Sequence, residues 1–133
     1  MNKFSGIITQ ITRSDAIMLV DLEVGGHPMS ALLTESPFSS SWLKVGNAVS
    51  IVFKETEVSL MKGFTGKISL RNQLPCKVIS VSKGTILGCV AMLFQDYPIT
   101  AAITSRSIDS LNICEGDEIL ALIKANEVSI MKS

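Results

Sequence analysis

FKETEVSLMK at residues 53–62 returns as IKANEVSIMK at residues 123–132. The copies start at 53 and 123, an offset of seventy residues that holds without a gap through both halves of the 133-residue chain. Asn2 falls on Asn72, Val20 on Val90, Pro28 on Pro98 and Ala31 on Ala101. Thr34 falls on Thr104, Gly46 on Gly116 and Lys54 on Lys124. Other positions trade one apolar residue for another: Ile8 for Val78, Ile11 for Val81, Val49 for Ile119, Leu60 for Ile130. An ungapped internal repeat means two copies of one small structural unit. The expected bounds are 1–64 and 65–133.

Each unit reads as β-structure. GIITQIT and KVISVS are β-branched runs with partial alternation, followed by AIMLVDLEV and TILGCVAMLF. Gly25-Gly26 and Gln95-Asp96 mark equivalent turns before HPMSALL and YPITAAI. SIVFK and LALIK are entered from KVGN and CEGD turns, and EVSLM and EVSIM are expected to close their own units. The helical candidates are one or two turns after Thr34 and after Thr104. Five short strands and one brief helix fit an all-β fold of two tandem OB-like five-stranded β-barrels. Units of this size bury little core alone, so each is expected to pack on the other or on a second chain.

Composition narrows the function. Hydrophobic residues make up 47% and charged residues 18%, the balance of a packed globular chain. Twelve basic and twelve acidic residues cancel, where a nucleic-acid-binding surface calls for a basic excess. Five Phe, one Tyr and one Trp supply few base-stacking platforms. Cys76, Cys89 and Cys114 are odd in number and form no CxxC pair, which argues against disulfides and zinc. No signal-peptide pattern opens the chain, and GTILGCVAMLF at 84–94 is too short to span a bilayer. A soluble cytoplasmic protein with neither nucleic-acid nor membrane partner is expected.

The polar residues fall into three groups. Residues 68–75, ISLRNQLP, alternate so that Ile68 and Leu70 face one way and Ser69 and Arg71 the other, with Asn72 next. Thr104, Ser105, Arg106 and Ser107 stand where a strand gives way to a helix, with Thr104 or Ser105 as N-cap. Lys124 follows the apolar run LALI with its stem along that surface. Singly, these are a surface ion-pair residue, a cap and a snorkelling lysine. Together they are hydroxyls, helix-end N–H groups and fixed cations, with no carboxylate or imidazole. That set cannot do general acid–base catalysis, which needs a group titrating near neutrality. It can hold a small oxyanion. The sole His27, between Gly26 and Pro28, reads as a turn residue, so no enzyme is expected.

ISLRNQLPCKVISV, ITSRS and GDEILALIKANEVSI resemble the molybdenum-pterin-binding (Mop) family, whose modules are also called TOBE domains. The family's SARNQ-like opening appears as SLRNQ at 69–73, and its later pattern as Thr104, Ser107, GDE at 116–118 and IKA at 123–125. The likeness covers 68–132 closely and 2–62 more loosely. It implies a barrel that binds molybdate or tungstate as an oxyanion at interfaces between modules, without an organic cofactor or a directly ligated metal. Carried over by position, the ligands are Ser69 and Arg71, with Thr104, Ser107 and Lys124 from a neighbouring module or chain, in a homodimer or homotrimer. The first unit keeps Thr34 and Lys54, but Pro37 stands where Ser107 stands, beside Glu35 and Ser36. Glu35 would repel a dianion. The oxyanion-binding candidates are therefore Ser69, Arg71, Asn72, Thr104, Ser105, Ser107 and Lys124, with Thr34 and Lys54 as a reduced second set.

The expected function is cytoplasmic binding of molybdate or tungstate for storage, homeostasis or sensing. The alternative is the ligand-sensing part of a molybdate-responsive regulator or transporter. A nucleic-acid-binding OB protein ranks lower, and neither a helix-turn-helix nor a GxxxxGK[ST] loop occurs.

Overall fold

A computed structural model describes residues 1–34, 41–63 and 65–133. It contains ten strands in two five-stranded sheets of like design. In the first half run β1 (Asn2–Ser14), β2 (Ile17–Val24), β3 (His27–Leu33), β4 (Ala48–Phe53) and β5 (Ser59–Met61). The second half repeats them as β6 (Asn72–Lys83), β7 (Leu87–Phe94), β8 (Tyr97–Thr104), β9 (Glu118–Ile123) and β10 (Ser129–Lys132). One helix, α1 (Ser105–Ser110), follows β8 as expected. The helix expected after Thr34 falls on residues 35–40, outside the described residues.

The first strand of each unit bends so that it serves two neighbours. β1 pairs with β4 through Asn2–Ile7 and with β2 through Ile7–Ser14, and the register slips between Ile8 and Gln10. β6 does the same between β9 and β7, slipping between Val78 and Ser80. A bulge adds one residue to one strand and sharpens its local twist. Its recurrence at matching positions shows that the two units curl by the same device.

The closing strands differ from expectation. The sheet orders are β10-β4-β1-β2-β3 and β5-β9-β6-β7-β8, so the two EVS strands change places. Ile130 lies opposite Ile51 of the first sheet, and Leu60 opposite Ala121 of the second. Each unit lends its last strand to the other. Lys62, just past β5, donates to the Asn112 carbonyl at 2.6 Å and pairs with Asp117 at 2.9 Å, fastening the crossing to the second unit.

The core is likewise shared. Phe4 meets Phe53 of its own half at 5.5 Å between ring centroids, and Phe94 and Tyr97 of the other half at 5.8 and 5.4 Å. Buried side chains of both sheets form one continuous cluster. At the seam the equivalent turns touch: Gln95 donates from Nε2 to the Gly25 carbonyl at 3.1 Å. A Cβ at Gly25, where φ is +56°, would lie 2.0 Å from Gln95 Oε1, so a larger residue there would displace the Gln95 side chain.

Candidate oxyanion site

The chain between the units carries the opening signature. Residues 65–71 lie outside any strand, and there Ile68 and Leu70 are half-buried while Ser69 and Arg71 are exposed. What holds this segment in place is Asn72, the first residue of β6 and fully buried. Its Nδ2 donates to the Ser30 carbonyl at 2.9 Å, and its Oδ1 accepts from the Ser30 N–H at 2.7 Å. Asn2 does the same to Thr100, at 2.9 and 2.8 Å. The repeated asparagines are therefore clasps, each fastening the start of one unit to the third strand of the other. With both its side-chain oxygen and its nitrogen bonded to Ser30, the fully buried Asn72 acts here as a structural tie.

Above the clasp, Ser69, Arg71 and Lys124 line one hollow of about 340 Å³, with Leu32, Ala125 and Asn126. Lys124 reaches it because the short 3-10 turn Ala125–Glu127 that it begins packs on β3 of the first unit. Arg71 and Lys124 thus border one hollow within a single chain, where the resemblance placed Lys124 on a neighbouring module or chain. Arg71 also edges a second hollow of about 370 Å³, shared with Pro28, Met29, Ser30 and Gln73. There its Nη2 stands 3.4 Å from Ser30 Oγ and 3.5 Å from Asp21 Oδ1, while Ser30 Oγ donates to Asp21 at 2.7 Å. Its side chain is 64% exposed.

The other candidates lie apart. Thr104 caps α1, its Oγ1 accepting from the Ser107 N–H at 3.1 Å and donating to Ser107 Oγ at 2.8 Å. Neither lines the hollow of Arg71 and Lys124. Ser105 is buried and donates to the Gly84 carbonyl at 2.8 Å, which makes it a structural hydroxyl, not an exposed donor. Thr34 and Lys54 are exposed, and the turn Glu55–Glu57 after Lys54 packs on β8, which ends at Thr104. Each lysine is thus set against the third strand of the opposite unit. Glu35, Ser36 and Pro37 fall outside the described residues.

Sequence reasoning missed Asp21 and Ser30. The signal was present: a two-residue turn at Gly25-Gly26 sets Val24 opposite His27 and hence Asp21 opposite Ser30.

Chemically the hollow offers a guanidinium fork, an ammonium and a hydroxyl, a donor set suited to an oxyanion. Among the described residues no group of three or more His, Cys, Asp or Glu side chains could hold a metal ion. Burial pushes the Cys76 thiol up to about 12, so it stays protonated and is no nucleophile at neutral pH. A larger hollow of about 540 Å³ lies among Met61, Pro75, Leu93 and Leu120, but it is mainly apolar and neither Arg71 nor Lys124 lines it.

Two β-units that exchange their closing strands, with a hydroxyl and two cations around one hollow at their seam, make a tandem module of OB-like class. Comparisons with known proteins agree with that class. Residues 68–130 match the TOBE domain. The chain is 38% identical over 65 residues to molybdenum-pterin-binding protein 3 of Clostridium pasteurianum, covering 96% of that protein. It is 26% identical over 132 residues to the molybdenum transport protein ModE of Herbaspirillum seropedicae, covering 97% of this chain and 49% of ModE. The chain thus spans about half the length of that relative. The structure of the cytoplasmic molybdate-binding protein ModG with molybdate bound superposes with a TM-score of 0.91 and 27% identity, over 99% of this chain and 96% of ModG. The chain belongs to the molybdenum-pterin-binding family of TOBE domains.

Proposed function

We propose that this protein binds molybdate or tungstate as an intact oxyanion in the cytoplasm and performs no chemistry on it. The observation that carries the proposal is the meeting of Ser69, Arg71 and Lys124 around one small hollow. A tetrahedral dianion there exchanges its hydration shell for charged and hydroxyl donors. The relatives support the choice of anion, since ModG is a molybdate-binding protein. Thr104, exposed at the end of β8, and Ser107, half-buried in the first turn of α1, are the remaining donors of the family pattern. They complete the site from a second copy of the chain in a symmetric dimer or trimer. Units 1–64 and 65–133 act as the two modules, each finished by the other's last strand.

A second role, sensing within a larger system, is favoured by the transport relatives, of which this chain spans 49% in ModE and 29% in the ModC of Brucella abortus. Calorimetric titration of the purified protein with molybdate, tungstate and sulfate tests the binding function. Tight binding of the first two with weak sulfate binding is expected. Equal and feeble responses to all three would remove the proposal.

A further inference from the structure

We infer that Asp21 is a built-in competitor for Arg71 that sets how tightly the anion is held. The inference rests on the anion-binding function proposed above. Asp21 and Ser30 stand on adjacent strands in direct register, so carboxylate and hydroxyl face the same way. The Ser30 hydroxyl has its proton on Asp21, which leaves its lone pairs to accept from Arg71 Nη2. Both groups lie on the Ser30 side of Arg71, and neither lines the hollow that Arg71 shares with Lys124. The guanidinium thus has partners outside the hollow it shares with Lys124.

The feature is confined to one half of the molecule. The repeat places Ala91 where Asp21 stands and Thr100 where Ser30 stands. Only the half that receives an arginine carries the carboxylate. Strand pairing does not require it, because β7 and β8 pair equally well with Ala91 opposite Thr100.

Competition outweighs positioning on geometry. At 3.5 Å and with Arg71 largely exposed, the ion pair is loose, and such pairs hold side chains weakly. A loose partner outside the hollow adds little order to the anion site but must be released when the fork turns to the anion. Replacing Asp21 should then tighten anion binding roughly two- to fivefold, the scale of an exposed pair.

The test is a double-mutant cycle read by calorimetry with molybdate and sulfate. Asp21→Asn keeps an acceptor for the Ser30 hydroxyl. Asp21→Ala installs the residue that the second unit already carries at the matching position. Both should bind either anion more tightly with the selectivity between anions unchanged, and Asp21→Asn should have no effect in an Arg71→Gln background. Without any ligand, the Arg71 side-chain nitrogen resonances should shift in Asp21→Asn. Weaker binding by the Asp21 variants would make Asp21 a positioning residue and overturn the inference. Equal tightening in the Arg71→Gln background would reduce Asp21 to a background charge and overturn it too. Failure of the unaltered protein to bind either anion strikes at the proposed function itself, whereas binding without coupling between positions 21 and 71 overturns this inference alone.

Discussion

Two kinds of residue meet at the seam, and substitution should separate them. Asn72 is buried and holds both backbone groups of Ser30. Asn72→Ala leaves a buried N–H and C=O without partners, a loss of about 2–4 kcal/mol of stability on the usual scale for such groups. Urea unfolding reads it, and Asn2→Ala should behave alike because its bonds to Thr100 match. Arg71→Ala and Lys124→Ala remove exposed side chains instead. They should leave the unfolding midpoint nearly unchanged while weakening molybdate binding by about 1.5–3 kcal/mol each, the range for bonds to charged groups. Ser69, Arg71 and Lys124 were legible in the sequence because alternation in ISLRNQLP and the end of LALIK show which side chains stand outward. The clasp made by Asn72 was not legible for a physical reason: a polar residue next to a binding signature looks like a ligand until its backbone partner, forty-two positions away, is known.

The strand exchange is the feature of the elements that the repeat concealed. Leu60 and Ile130 are near-equivalent apolar residues on near-identical phrases, so either strand satisfies either sheet, and hydrophobic pattern cannot choose. The turns and the helix after Thr104 followed from local residue chemistry, which the pattern does record. Deleting residues 129–133 should strip hydrogen-exchange protection from β4, around Val49–Val52, and leave β9 protected. Loss of protection in β9 with β4 intact would contradict the exchange. The Lys62 bond and the Cys114 N–H hold the Asp117 carboxyl below the ordinary carboxylate range. A carboxyl lowered by folding adds stability that is present above its unfolded value and lost as pH falls through its folded one. Asp117→Asn should therefore lower the melting temperature at neutral pH, and the difference should vanish in acid, below about pH 4 and on through the folded value.

At the scale of the whole molecule, exchanged strands and one continuous core make two modules into one unit. Urea unfolding followed by far-ultraviolet dichroism and by Trp42 fluorescence should give coincident single transitions. Separate transitions would mean that the units fold independently despite the shared Phe4, Phe94 and Tyr97 cluster. The same seam that joins the cores also gathers the cations, since Arg71 follows from the start of the second unit and Lys124 from a turn seated on the first. Crystals grown with tungstate test this most directly, because tungsten scatters anomalously and marks its own position. The account predicts a peak in the hollow of Ser69, Arg71 and Lys124, with hydroxyls of Thr104 and Ser107 arriving from a second copy. Tungsten bound elsewhere, with that hollow holding only water, would contradict it.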